Sequence, residues 1–200
     1  MNEPMPIPYR DADDLDELGA VGYLKIEPVT DGSGYLGALF LLNARGEPLE
    51  FTYNRIDTPN TFLWRKEDLR RHAARKLTAS LFSLCPRTPR LLLCLAEEVG
   101  SELFTQEIQV SIPVCRLATG REALSAVDSE TKDIVQAAEP VHAFWLPDKP
   151  TEGSIELRLL QLVAGRGLLL EPFERASIGL REVYRGQGSG IGEQGSEDSR

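Results

Sequence analysis

Two segments of this chain lack the alternation that a half-solvated strand requires. Tyr35–Leu42 reads YLGALFLL, and Arg90–Ala96 reads RLLLCLA, apolar after its first residue. Successive side chains of a strand point to opposite faces of its sheet, so a strand with one wet face alternates apolar and polar residues. A continuous apolar run of strand length instead asks for cover on both faces. These two runs commit the chain to a buried sheet.

Their surroundings supply the other elements. Gly22–Val29 reads as a short or edge strand ended by Pro28. Asn43-Ala44-Arg45-Gly46 carries hairpin-loop chemistry, and the returning segment alternates Leu49, Phe51 and Tyr53 with Glu50, Thr52 and Asn54. Thr61–Leu84 contains neither Gly nor Pro, follows a helix-entry signal at Thr58-Pro59, and stops at Cys85-Pro86. At 100° per residue, Phe62, Leu69, Ala73, Leu77, Ser80, Leu81 and Leu84 share one arc that faces the core. Further on, Arg90–Ala96 is followed by Glu97-Glu98, and Ile108, Val110, Ile112 and Val114 alternate as a half-exposed strand. Ser129–Glu139 reads as a short helix, Phe144–Pro150 as a loop, Ile155–Leu170 as a hairpin and Pro172–Tyr184 as a C-terminal helix.

The expected fold class is α+β: a mainly antiparallel sheet with one long helix packed on a face, plus the C-terminal helix. In element order this is similar to longin and profilin-like modules, a likeness of fold that says nothing about activity. Residues 1–19 are rich in proline and acids and read as a disordered acidic arm; residues 185–200 are Gly/Ser-rich and read as a disordered tail. A single domain over 20–184 remains.

Charge divides along the same lines. The net charge is -9, but residues 55–90 hold nine Lys/Arg against three acids, whereas residues 91–185 hold nine against fifteen. The basic excess belongs to the long helix. With its acidic tails the chain as a whole repels a polyanion, which sets nucleic acid aside as a partner. No apolar run approaches the roughly 20 residues that cross a bilayer. Cys85, Cys94 and Cys115 are odd in number and lack C-x-x-C spacing, so a cytoplasmic location is expected, without disulfides.

Motifs for chemistry are sparse. P-loop, H-E-x-x-H and EF-hand patterns are absent, and the only histidines are His72 and His142. No catalytic residue, metal ligand or cofactor is assigned. On the helix side opposite the core stripe, Trp64 and Phe82 bracket Arg71 and Arg75, and Trp and Arg are the residue types enriched in binding hot spots. The leading expectation is a non-catalytic protein-interaction module. Trp64, Arg71, Arg75 and Phe82 would bind an acidic protein surface or a second copy of the chain, with Asp11–Glu17 as a competing intramolecular cover. One alternative is a small-molecule sensing domain. Another is a Mg²⁺-dependent nuclease using Glu97 and Glu98, although neighbouring residues on a strand point apart and would not naturally share one ion.

Overall fold

The computed structural model describes residues 13–58, 60–119 and 140–185, together with the strand at 131–135. Residues 1–12 and 186–200, on which most of the arm and tail expectations fall, lie outside the described residues. Seven strands, β1 (Ala20–Pro28), β2 (Gly34–Asn43), β3 (Pro48–Asp57), β4 (Leu91–Leu95), β5 (Val114–Ala118), β6 (Thr131–Val135) and β7 (Val141–Leu146), form one sheet in the order β3-β2-β1-β4-β5-β7-β6. The helices are α1 (Lys66–Leu84), α2 (Ile155–Gly165) and α3 (Glu171–Arg185).

Connection length sets strand direction. β1, β2 and β3 are joined by short turns and run antiparallel. In the second turn Asn43 Oδ1 accepts from the amides of Arg45 and Glu47, and Gly46 takes a φ of 85°, a conformation that side-chain-bearing residues avoid. After β3 the 19-residue α1, about 28 Å long at 1.5 Å per residue, carries the chain back along the sheet. β4 therefore lies parallel to β1, and β5 parallel to β4. The α+β class is observed, but the sheet is mixed and not mainly antiparallel. Apolar patterning shows that a strand is buried and is silent on its direction.

Both faces are covered, as the apolar runs demand. Leu24, Ile26, Leu39, Leu41, Leu92 and Cys94 pack with Ala74, Leu77 and Leu81 of α1. Val21, Tyr23, Ala38, Phe40, Leu91 and Leu93 pack with Leu159, Leu160 and Val163 of α2 and Phe173, Ala176 and Leu180 of α3. Each fully buried side chain of this size contributes about 1.5–3 kcal/mol. These two layers hold the fold. Gly37 sets the first at close range, since a Cβ there would lie 3.2 Å from both Leu77 Cβ and Leu81 Cδ1. The buried stripe of α1 also includes Thr78, which is not among the residues of the expected core-facing arc.

Four expected segments take another conformation. Ile155–Val163 is helical, capped by Ser154 Oγ accepting from the Leu157 amide at 3.2 Å. Glu156 and Arg158 alternate with Ile155, Leu157 and Leu159 as in a half-exposed strand, and this period-two opening conceals the helix. Phe144 lies in β7 and not in a loop, while Thr131–Val135, expected as helix, pairs antiparallel with β7. Between Leu103 and Glu107 the chain makes a wide helical turn, and the strand expected from Ile108 begins only at Val114. No helix among the described residues is long and apolar enough to cross a membrane.

Candidate functional site

Parallel pairing brings the C-terminal ends of β1, β4 and β5 to one edge of the sheet. In such folds, ligands bind in the crevice outside those carboxyl ends, where the strand order reverses. Leu24 is the last β1 residue in register with β4, opposite Cys94. Beyond it the ladder stops, and the side chain of Glu98 takes over its hydrogen bonding. Glu98 Oε2 accepts from the Ile26 amide at 3.1 Å, and Oε1 accepts from Lys25 Nζ in a close ion pair. Lys25 Nζ also stands 3.9 Å from Glu27 Oε2, which accepts from Ser177 Oγ of α3 at 2.7 Å. One polar chain, Ser177–Glu27–Lys25–Glu98, thus crosses the edge from α3 to the segment after β4.

This pair is deeply set, with the side chain of Lys25 13% exposed and that of Glu98 12%. Desolvation raises the Glu98 carboxyl above the usual carboxylate range, outweighing the opposing hydrogen bonds from Lys25 and the Ile26 amide. Two clefts open on either side. One of about 560 Å³ is walled by Arg65, Arg70 and Arg71, with Asp68 beside them and Glu97, Glu98 and Glu102 across from them. The other, of about 480 Å³, runs between the strand ends and α3, with Lys25, Glu97, Thr119 and Arg181 among its lining. Glu97 belongs to both, and so forms the ridge between them.

The residues singled out in the sequence are only partly gathered. Trp64, Arg71 and Arg75 line one shallow cleft with His72 and Glu107, the Trp64 and His72 rings lying 5.0 Å apart. Arg71 Nε lies 3.4 Å from Glu107 Oε1 and Arg75 Nε 3.9 Å from Oε2, both on half-exposed side chains. Phe82 is not with them; it is partly buried against the α1 layer. Nor, among the described residues, do the acids before β1 cover these arginines. Asp13 and Asp16 bind Arg45, Asp14 binds Arg158, and Leu15 and Leu18 are buried. His142 lies on β7, and the three cysteines form no disulfide.

Glu97 and Glu98 diverge, Glu97 exposed and Glu98 inward. Among the described residues, no group of three or more His, Cys, Asp or Glu side chains could hold a metal ion. Lys25, which in the sequence is only half of a strand-borne charge pair with Glu27, is the buried cation that sequence reasoning assigned to no site. Its signal was a lysine in the interior of a strand otherwise fit for burial.

No family model matches this chain. No curated protein matches it either. Among solved structures, it is similar to an endonuclease V from Bacillus subtilis at a TM-score of 0.55 and 9% identity, over 88% of this chain and 85% of the other. It is also similar to an endonuclease V from Streptomyces avermitilis at a TM-score of 0.56 and 11% identity, over 88% of this chain and 92% of that one. The likeness is one of fold. It corrects two expectations from the sequence: the fold found here is that of proteins named as nucleases, which tells against a non-catalytic protein-interaction module, and nucleic acid can no longer be set aside as a partner. Net charge misled because it averages over a whole chain, whereas a polyanion meets one face.

Proposed function

We propose that this chain is a nuclease-type protein that takes the phosphodiester backbone of a nucleic acid at the C-terminal edge of its parallel strands. The observation that carries this reading is that the exposed Arg65, Arg70 and Arg71 line one cleft together with Glu98, whose buried ion-pair partner Lys25 lines the cleft on the other side of the same strand ends. Arginine suits the rim because its planar fork matches phosphate oxygens. Acids share that cleft, so binding is expected to be of the non-specific order, about 1–100 μM, and to fall steeply with salt.

Glu98 is the group for proton transfer. A buried carboxyl whose proton affinity is raised comes closer to a general base at neutral pH. In hydrolysis the water oxygen would bond to phosphorus as its proton passes to Glu98, while the P–O ester bond breaks and the leaving oxygen is protonated by solvent. No step is routed through a metal, because the carboxylates of the described residues do not converge on one. A Mg²⁺ ion shared by Glu97 and Glu98 is therefore not part of this reading. A cytoplasmic location accords with three cysteines outside any disulfide.

The test is fluorescence anisotropy with labelled single-stranded and duplex DNA and RNA at low salt, alongside gel assays of strand cleavage. Binding that weakens when Arg65, Arg70 and Arg71 are changed together to Glu, and cleavage lost in Glu98→Gln, are the expected results. Absence of binding to all four nucleic acids would refute the reading.

A further inference from the structure

We infer that Lys25 is the resident cation of this site: its ammonium takes the part that a divalent ion plays in metal-dependent nucleases, so that phosphodiester binding here needs no Mg²⁺. The inference rests on the proposed function and deepens it.

The donor set carries the argument. Mg²⁺ demands near-ideal octahedral oxygen coordination, typically with one or two carboxylates supplied by the protein. At this edge the carboxylate nearest the strand ends, Glu98, already has both oxygens engaged, one by Lys25 Nζ and the other by the Ile26 amide. The next, Glu27, is held by Ser177 Oγ and faces the same ammonium. A divalent ion would have to displace a covalently tethered cation from both. Lys25 is a fixed positive charge at the point where the β1–β4 ladder ends, and its side chain lines the cleft of about 480 Å³ beside α3.

Burial supports the same assignment. Taking two charges to 13% and 12% exposure costs more than a well-packed apolar pair of similar size would. The fold does not require charge here, since Leu24 and Cys94, in register just before the pair, are apolar and fully buried. Ionisable groups retained under such desolvation, in a cleft, are markers of a site. Arg181 on α3 lines the same cleft and offers a second cation for the backbone.

The experiment measures binding of a labelled oligonucleotide to the full chain in EDTA and in excess Mg²⁺, for wild type, Lys25→Arg, Lys25→Met and the double variant Lys25→Met with Glu98→Gln. The double variant removes both charges together and remains informative where Lys25→Met alone fails to fold; circular dichroism checks each protein. Expected are wild-type affinities that agree in EDTA and Mg²⁺, near-retention in Lys25→Arg, and a loss of about tenfold or more in the double variant, the scale of a hydrogen bond to a charged group. Binding that appears only with Mg²⁺ would overturn the inference and leave the proposed function standing. Metal-free binding unchanged in the folded double variant would overturn the role of Lys25. Absence of binding in both buffers would overturn the proposed function itself, and the inference with it.

Discussion

Two regions of this molecule carry arrays of opposite charges, and they differ in what those charges cost. On α1 and the turn beside it, Arg65, Asp68, Arg71, Arg75 and Glu107 form a lattice of ion pairs in which every arginine is at least half exposed. At the strand ends, Lys25 and Glu98 meet almost out of contact with water. Exposed pairs are screened and contribute about 0–1 kcal/mol each. A buried pair is expensive to form and more expensive to break. The first array is conspicuous in the sequence and cheap to alter; the second is two isolated letters in the sequence and is costly to disturb.

The contrast orders the expected effects of substitution. Lys25→Met leaves Glu98 buried beside Glu27 without its cation, and should lower stability by about 3–5 kcal/mol in urea unfolding. Restoring most of that loss by adding Glu98→Gln would show that the cost lies in the unpaired charge; failure of the double variant to recover would show that Lys25 matters for packing instead. Gly37→Ala places a Cβ 3.2 Å from Leu77 and Leu81, so α1 must give way, at about 1–3 kcal/mol.

Glu98→Gln is smaller in total but distinctive in pH. The folded Glu98 carboxyl binds its proton more readily than the ordinary glutamate value of 4.5 implies, so the folded state takes up protons where the unfolded chain releases them. The associated stability is complete below 4.5 and is lost as pH rises through the folded pKa. Thermal melts of wild type minus Glu98→Gln should therefore decline across that window. A flat difference would mean that Glu98 titrates as an exposed acid.

At the lower end, Arg71→Ala should move stability by less than about 1 kcal/mol. It should nonetheless reduce the slope of log affinity against log salt for nucleic acid by just under about 1, the counterion released by one phosphate contact. A stability loss comparable with that of Lys25→Met would erase the distinction between the two arrays.

The legibility of the fold follows from the same physics. Tyr35–Leu42 and Arg90–Ala96 announced a sheet covered on both faces, and Asn43–Gly46 a hairpin, because burial and turn geometry are local in the chain. Strand direction was not legible, since β4 pairs with β1 only after the long α1 crossover. Ile155–Val163 opens with Ile155, Leu157 and Leu159 alternating with Glu156 and Arg158, a strand-like period that conceals the helix. The site suffered most. Lys25 and Glu98 are 73 residues apart in the chain and meet only through the parallel register of β1 with β4. The surface of Trp64, Arg71 and Arg75 was visible because one helix carries most of it; Phe82 lies apart from them, partly buried, because helical periodicity shows a face but not what packs on it.

The account stands most directly on where nucleic acid contacts the chain. Anisotropy titration of a labelled oligonucleotide against wild type and against the combined change of Arg65, Arg70 and Arg71 to Glu, in EDTA at low salt, decides it. Saturable wild-type binding that is abolished in the folded variant is the predicted result. Equal binding by both proteins, or none by wild type either in EDTA or in excess Mg²⁺, would contradict it.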